Sequence, residues 1–156
     1  MRIRRAQQGD EAALTRLRLA LFVEEGDLAS AGEEPALTRV LADYFAQTLA
    51  DGACLHWVAD AQGEVVGAGS LALFCRPPYP GNLTGREGYL LNMFVLPAWR
   101  RRGVARALVS AIQEEAAGLA LGKVWLHASP MGEPLYRAQG FAGHPAYLEW
   151  RPQVLS

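Results

Sequence analysis

An α/β chain of the α+β kind, with helices on the faces of one mixed sheet and elements in the order βααβββαβαβ, is predicted by three features of the sequence. Apolar residues recur at helical spacing in three long stretches, strand-like runs rich in Val, Leu, Trp and Phe stand between them, and glycine and proline punctuate the boundaries. At 156 residues, 51% of them hydrophobic and 20% charged, the chain has the size of a single domain over residues 1–156, and no long stretch lacks apolar residues.

Ile3 opens a short strand, and Asp10 then stands as a cap before Ala13, Leu14, Leu17, Leu21 and Phe22, a helical stripe. From Glu24 to Pro35 the period stops and acidic residues interleave with glycine and serine, as in a solvated loop. Leu37, Val40, Leu41, Tyr44, Phe45 and Leu49 mark a second helix closed by Asp51 and Gly52. Residues 54–59 and 65–74 read as a hairpin across Asp60, Ala61, Gln62 and Gly63. The glycines and prolines of residues 76–88 make a long loop, and residues 89–96 form a nearly all-apolar strand buried on both faces and ended by Pro97. Val104, Leu108, Ile112, Ala116 and Leu119 line a third helix, residues 124–128 a strand, residues 133–139 a short helix ending at Gly140, and residues 146–150 a last strand.

The formal net charge is −1 and Lys123 is the only lysine, so no global positive field exists to hold a nucleic acid. No apolar stretch of signal-peptide or bilayer length is present, which predicts a soluble, cytoplasmic protein with no membrane partner. Cys54 and Cys75 have neither disulfide nor zinc spacing and read as buried free thiols. Cys54 and His56 share a strand face and could meet His127 around a metal, but packing is the better reading of two residues at i and i+2, and no metal is expected.

The most informative segment is the loop after the apolar strand: Arg100, Arg101, Arg102, Gly103, Val104, Ala105 and Arg106, spaced RxxGxA before an amphipathic helix. A loop of this kind leaves backbone amides unpaired at the positive end of a helix, where they suit a phosphate or pyrophosphate. On the string alone, a solvated basic helix start is slightly the better account. A P-loop string is missing, and Gly67 to Ala72, although spaced GxGxxA, continues as a strand rather than opening a helix as a dinucleotide site requires.

Val95, Leu96 and Pro97, then Arg100, Gly103 and Ala105, and further on Leu135, Tyr136, Gly140 and Phe141, together resemble the signatures of the GCN5-related N-acetyltransferase (GNAT) family. The resemblance is firm from about residue 89 to 141 and extends by element order alone to the N-terminal part. It implies a mostly antiparallel sheet and an acyltransferase that moves the acetyl group of acetyl-coenzyme A directly to a primary amine in a ternary complex. It also implies backbone contacts to the cofactor from Met93, Phe94 and Val95, a pyrophosphate held by Arg101 to Arg106 with Arg100 beside them, and Ser129 where many members carry an asparagine. Tyr136 is then the acid that protonates the departing thiolate.

An alkyl ammonium near pKa 10.4 is neutral in roughly one molecule of a few thousand at pH 7, so a proton path from the amine is needed. Glu24, Glu25, Glu87 and His127 are the candidates for it. Asn92, a polar residue in an apolar strand, must find a partner or face a cavity, and with Glu24 and Glu25 it stands as a substrate-binding candidate. The acidic residues Glu24, Glu25, Asp27, Glu33 and Glu34 suggest a cationic acceptor, but a solvated acidic loop is the somewhat better reading of them. A non-catalytic acyl-coenzyme A sensor on the same fold is the alternative function, the partner is a small-molecule or peptide amine, and a homodimer is left open.

Overall fold

The computed structural model describes residues 1–143 and 146–152. Its elements are β1 (Arg2–Arg5), α1 (Glu11–Glu25), α2 (Pro35–Asp51), β2 (Cys54–Ala61), β3 (Glu64–Cys75), β4 (Arg86–Val95), α3 (Val104–Gly118), β5 (Lys123–Trp125) and α4 (Glu133–Ala138), with a 3₁₀ turn over Pro97–Trp99. The five strands lie in chain order, the first four antiparallel and β5 parallel to β4 across the α3 crossover. The β2–β3 hairpin turns on Gln62 and Gly63, both at positive φ (56° and 94°), the handedness that matches strand twist.

Both faces of the sheet are covered, which makes two cores. Leu71, Leu90 and Val95 meet Leu108, Val109 and Ile112 of α3 on one face. Val58, Val65, Ala68 and Phe94 meet Leu14 and Leu17 of α1 and Leu41 and Phe45 of α2 on the other. Fully burying side chains of this size stabilises the fold by roughly 1.5–3 kcal/mol each.

Several expectations change. Residues 146–150 are no strand: they lie exposed, with Leu148 at 97% and Trp150 at 84%, and an extended run forms a strand only against a free edge with a face to bury. β5 is likewise shorter than predicted and stops at Trp125. β4 begins earlier, at Arg86, because Gly88 is a packing residue rather than a loop residue: a Cβ there would lie 2.7 Å from Leu71 Cδ1. The first helix runs on to Glu25, so the two glutamates belong to its last turn. Asp10 sits at the N-cap position without capping. Its carboxylate takes two hydrogen bonds from Arg4 (2.8 and 3.1 Å) and one from the Gln7 amide (2.8 Å), tying β1 to the start of α1. Cys75, at the far end of β3 beyond the core, is exposed, whereas Cys54 is buried. Among the described residues no helix is long and apolar enough to cross a membrane.

Candidate active site

Strand β4 carries the first element of the site. In its pairing with β3, Ala68 faces Phe94 but Ser70 faces Leu91, so Asn92 and Met93 together oppose Gly69 as a β-bulge. Asn92 sits at φ 59°, a left-handed value that asparagine tolerates better than other side chains. The extra residue puts Leu91 and Asn92 on the same side, where both line cavities, and returns Met93 to the α3 core across Gly69. Gly69 leaves that room, since a Cβ would stand 2.8 Å from Met93 Cε. β5 follows β4 only as far as Tyr89 and Trp125, and beyond that pair the two parallel segments separate.

The second element is the loop into α3. Arg101 (φ 61°) and Gly103 (φ 80°) are left-handed on either side of Arg102, and the amides of Arg101 through Arg106 meet no acceptor among the described residues. Gly103 occupies the N-cap position with no side-chain cap, and a Cβ built on it would touch nothing within 4 Å, so the space above it is open. Consecutive free amides in this conformation form an anion-binding concavity, reinforced by the helix dipole. Arg101, Arg102 and Arg106 are exposed around it, with Arg102 over the Trp99 ring. Arg100 turns the other way: its guanidinium donates to Val95 O (2.8 Å) and pairs with Glu24 (2.5 Å), clamping the end of β4 to α1. Such a donor set fits a polyanion of pyrophosphate kind.

Between the two elements runs a cavity of about 680 Å³, reaching from Ala105 along Met93, Phe94 and Val95 to Ser129, His127 and Tyr136. Ser129 holds the entry of α4, its Oγ accepting from the Gly132 amide at 3.1 Å. Tyr136 is buried at 8% exposure, and among the described residues its hydroxyl has no hydrogen-bond partner. Burial pushes its pKa up, so the phenol keeps its proton at neutral pH. His127 shares a hydrogen bond with the Tyr89 hydroxyl at 2.5 Å. Glu25 also lines the cavity, and Glu24 does so while engaged with Arg100.

Glu87 leaves the set of proton acceptors. It is fully buried away from both cavities and bound by the Tyr79 hydroxyl and Trp125 Nε1, with Arg76 and Lys123 nearby. Burial alone would raise its pKa, but the Tyr79 hydrogen bond and the two cations outweigh it and hold the carboxylate ionised. Asp27, Glu33 and Glu34 line neither cavity, and Glu33 instead binds the Ala29 amide at 2.6 Å. Among the described residues no group of three or more His, Cys, Asp and Glu side chains converges as a metal site would need.

Sequence reasoning missed a buried polar chain behind Asn92 and a second cavity beside it. Thr48 Oγ1 donates to Tyr44 O (2.8 Å), which leaves its oxygen to accept from His56 Nε2 (2.8 Å). His56 Nδ1 then accepts from Ser70 Oγ (2.7 Å), and Ser70 accepts from Asn92 Nδ2 (3.3 Å). The chain fixes the neutral His56 tautomer and pins the bulge. A cavity of about 400 Å³ opens over it, walled by Tyr44 and Phe45 of α2 and touching Arg18, Leu91 and Asn92, all shared with the larger cavity. The usable signal was His56, Ser70 and Asn92, three polar residues in strands otherwise apolar, which cannot be paired without knowing the register.

Burial pushes the His56 pKa down from 6.5 to about 4. A depressed histidine takes up its proton in the unfolded chain first, so its contribution is intact above pH 6.5 and lost as pH falls to about 4. On the order of 2–3 kcal/mol should disappear over that window. Urea unfolding from pH 7 to 4.5 should therefore be steeper in pH for the wild type than for His56→Gln, and equal slopes would assign the loss to other groups.

A sequence model of the acetyltransferase (GNAT) family matches residues 19–141. An IAA acetyltransferase of Azospirillum brasilense is 31% identical over 86% of this chain and 84% of its own length. An aminoglycoside N(6')-acetyltransferase type 1 of Stenotrophomonas maltophilia is 38% identical over 71% of this chain and 64% of its own. Among solved structures, a predicted acetyltransferase of Clostridium acetobutylicum crystallised with acetyl-CoA superposes at a TM-score of 0.84, with 29% identity over 96% of this chain and 95% of that one. A GCN5-related N-acetyltransferase of Ralstonia eutropha JMP134 superposes at 0.81, with 30% identity over 97% of both chains.

Proposed function

The chain belongs to the acetyltransferase (GNAT) family and is an N-acetyltransferase that uses acetyl-coenzyme A, and on that basis we propose that it acetylates a primary amine directly in a ternary complex. The observation that carries the reading is the continuous cavity, with Ala105 of the free-amide loop at one end, Asn92 at the other and an unbonded Tyr136 on its wall. The amides of Arg101 to Arg106 hold the pyrophosphate, helped by Arg101, Arg102 and Arg106. The free edge of Met93, Phe94 and Val95 receives the pantetheine arm, Ser129 offers it one hydrogen bond, and Arg100 braces the strand end from behind. The reading takes residues 1–156 as a single acetyltransferase domain working in the cytoplasm.

Acetyl-coenzyme A, when bound, supplies a thioester whose carbon accepts the amine nitrogen and whose sulfur departs with the bonding pair. Tyr136 gives its phenolic proton to that sulfur. The nitrogen loses two protons on the way from ammonium to amide: one passes to solvent along the open rim at Glu25 and His127, and the other restores the Tyr136 hydroxyl.

Two measurements test this. Acetyl-coenzyme A and free coenzyme A should both raise the melting temperature, by the equivalent of about 2.7 kcal/mol at a hundred times the dissociation constant. Release of free thiol should then depend on an added amine. No shift at millimolar ligand would count against the cofactor site, and binding without turnover on any amine would leave a non-catalytic binding module.

A further inference from the structure

The smaller cavity contains one full charge among its described lining residues, and that charge is positive. Arg18 projects from α1 between the cavities, half-buried, with no carboxylate within ion-pair distance among the described residues. Its contacts are a hydrogen bond to Asn92 Oδ1, at 3.5 Å the weak limit, and the Phe22 ring at 4.7 Å. Burial is the main influence on the guanidinium and works against its charge; Tyr44, Glu25 and Cys54 lie near enough to favour it. Glu25 lines the larger cavity and not the smaller one, and His56 is neutral above pH of about 4. A partly desolvated cation without an anion is costly, and that cost is recovered when an anion arrives. Apart from the hydrogen-bonded His56, Ser70 and Asn92 and the Cys54 thiol, the wall is apolar or aromatic, with Val40, Leu41, Tyr44 and Phe45 from α2. The volume, about 400 Å³, suits a small molecule.

Resting on the acetyltransferase reading, we infer that the smaller cavity is the acceptor site and that it selects an amine that also carries a carboxylate, bound by Arg18, and an apolar or aromatic body, packed against Tyr44 and Phe45. The acceptor's nitrogen lies at the junction of the cavities, by Leu91 and Asn92, where it can reach the acetyl carbon. A polycationic amine is disfavoured because it would bring a second positive charge against Arg18 with no carboxylate in this cavity to meet it. The acidic residues beyond Glu25 do not alter this, since they line neither cavity.

The test compares amines matched in body: tryptophan with tryptamine, 5-aminopentanoate with pentylamine, and 1,5-diaminopentane and an aminoglycoside as cations. For at least one pair, kcat/KM should favour the carboxylate-bearing member by about 10- to 100-fold, the range for a hydrogen bond to a charged group. Arg18→Gln should collapse that ratio toward one and Arg18→Lys should restore part of it. As a readout independent of turnover, 3-phenylpropionate should raise the melting temperature of the wild type and not of Arg18→Gln, whereas phenethylammonium should do neither. Equal or better use of the neutral or cationic members, an unchanged ratio in Arg18→Gln, or no stabilisation by 3-phenylpropionate would overturn the inference. Failure of acetyl-coenzyme A to stabilise the wild type would instead sink the acetyltransferase reading beneath it.

Discussion

Tyr136→Phe is expected to lower kcat by roughly two to four powers of ten while leaving coenzyme A affinity within about twofold. The ring packs against Phe141 and the α3 core, and those contacts survive the substitution. The hydroxyl bonds nothing among the described residues, so its removal should cost well under the ~1 kcal/mol of an ordinary hydrogen bond. Melting temperature, coenzyme A affinity and turnover measured on one preparation separate the roles. A purely packing tyrosine predicts full turnover in the variant, and that result would remove the general-acid assignment. Because burial holds the phenol protonated, the wild-type rate should not fall at neutral pH for want of this proton.

Gly103→Glu should weaken coenzyme A binding by more than 100-fold with the fold intact. The position has φ 80°, so any L residue there costs about 1 kcal/mol in backbone strain. Its surroundings are open, so a side chain meets no wall, and the glutamate carboxylate comes to stand where free amides await an anion. Gly103→Ala is the control. It carries the same strain without the charge and should lose less than about tenfold, since the dominant effect is like-charge repulsion. Equal affinity in the two variants would mean that the loop does not hold the phosphates.

The helices were legible because their apolar residues repeat with the period of the backbone, as Leu14 and Leu17 in α1 or Leu108 and Ile112 in α3 do. The hairpin was legible because Gln62 and Gly63 interrupt two apolar runs. Residues 146–150 misled because their composition suits a strand, while strand formation depends on an edge elsewhere in the molecule. Asp10 and Glu87 misled in the same way. A carboxylate before a helix or ahead of a strand has several outlets, and only the fold selects among them: Arg4 of β1 in one case, Tyr79 of the preceding loop and Trp125 of the neighbouring strand β5 in the other.

Element order as far as α4, the glycine-bearing loop before α3 and the tyrosine near the C-terminal end were readable from the chain alone, because each depends on neighbours a few residues away. The folded molecule was needed to find that Arg100 braces β4 against Glu24 instead of standing with the other arginines, and that Asn92 adds an extra residue to β4 opposite Gly69. Folding alone brings Arg18, His56, Ser70 and Asn92 from four separate elements around two adjoining cavities. Register and cavity walls arise from pairings between residues tens of positions apart, and a local pattern of side chains carries no information about which distant partner the folded chain will supply.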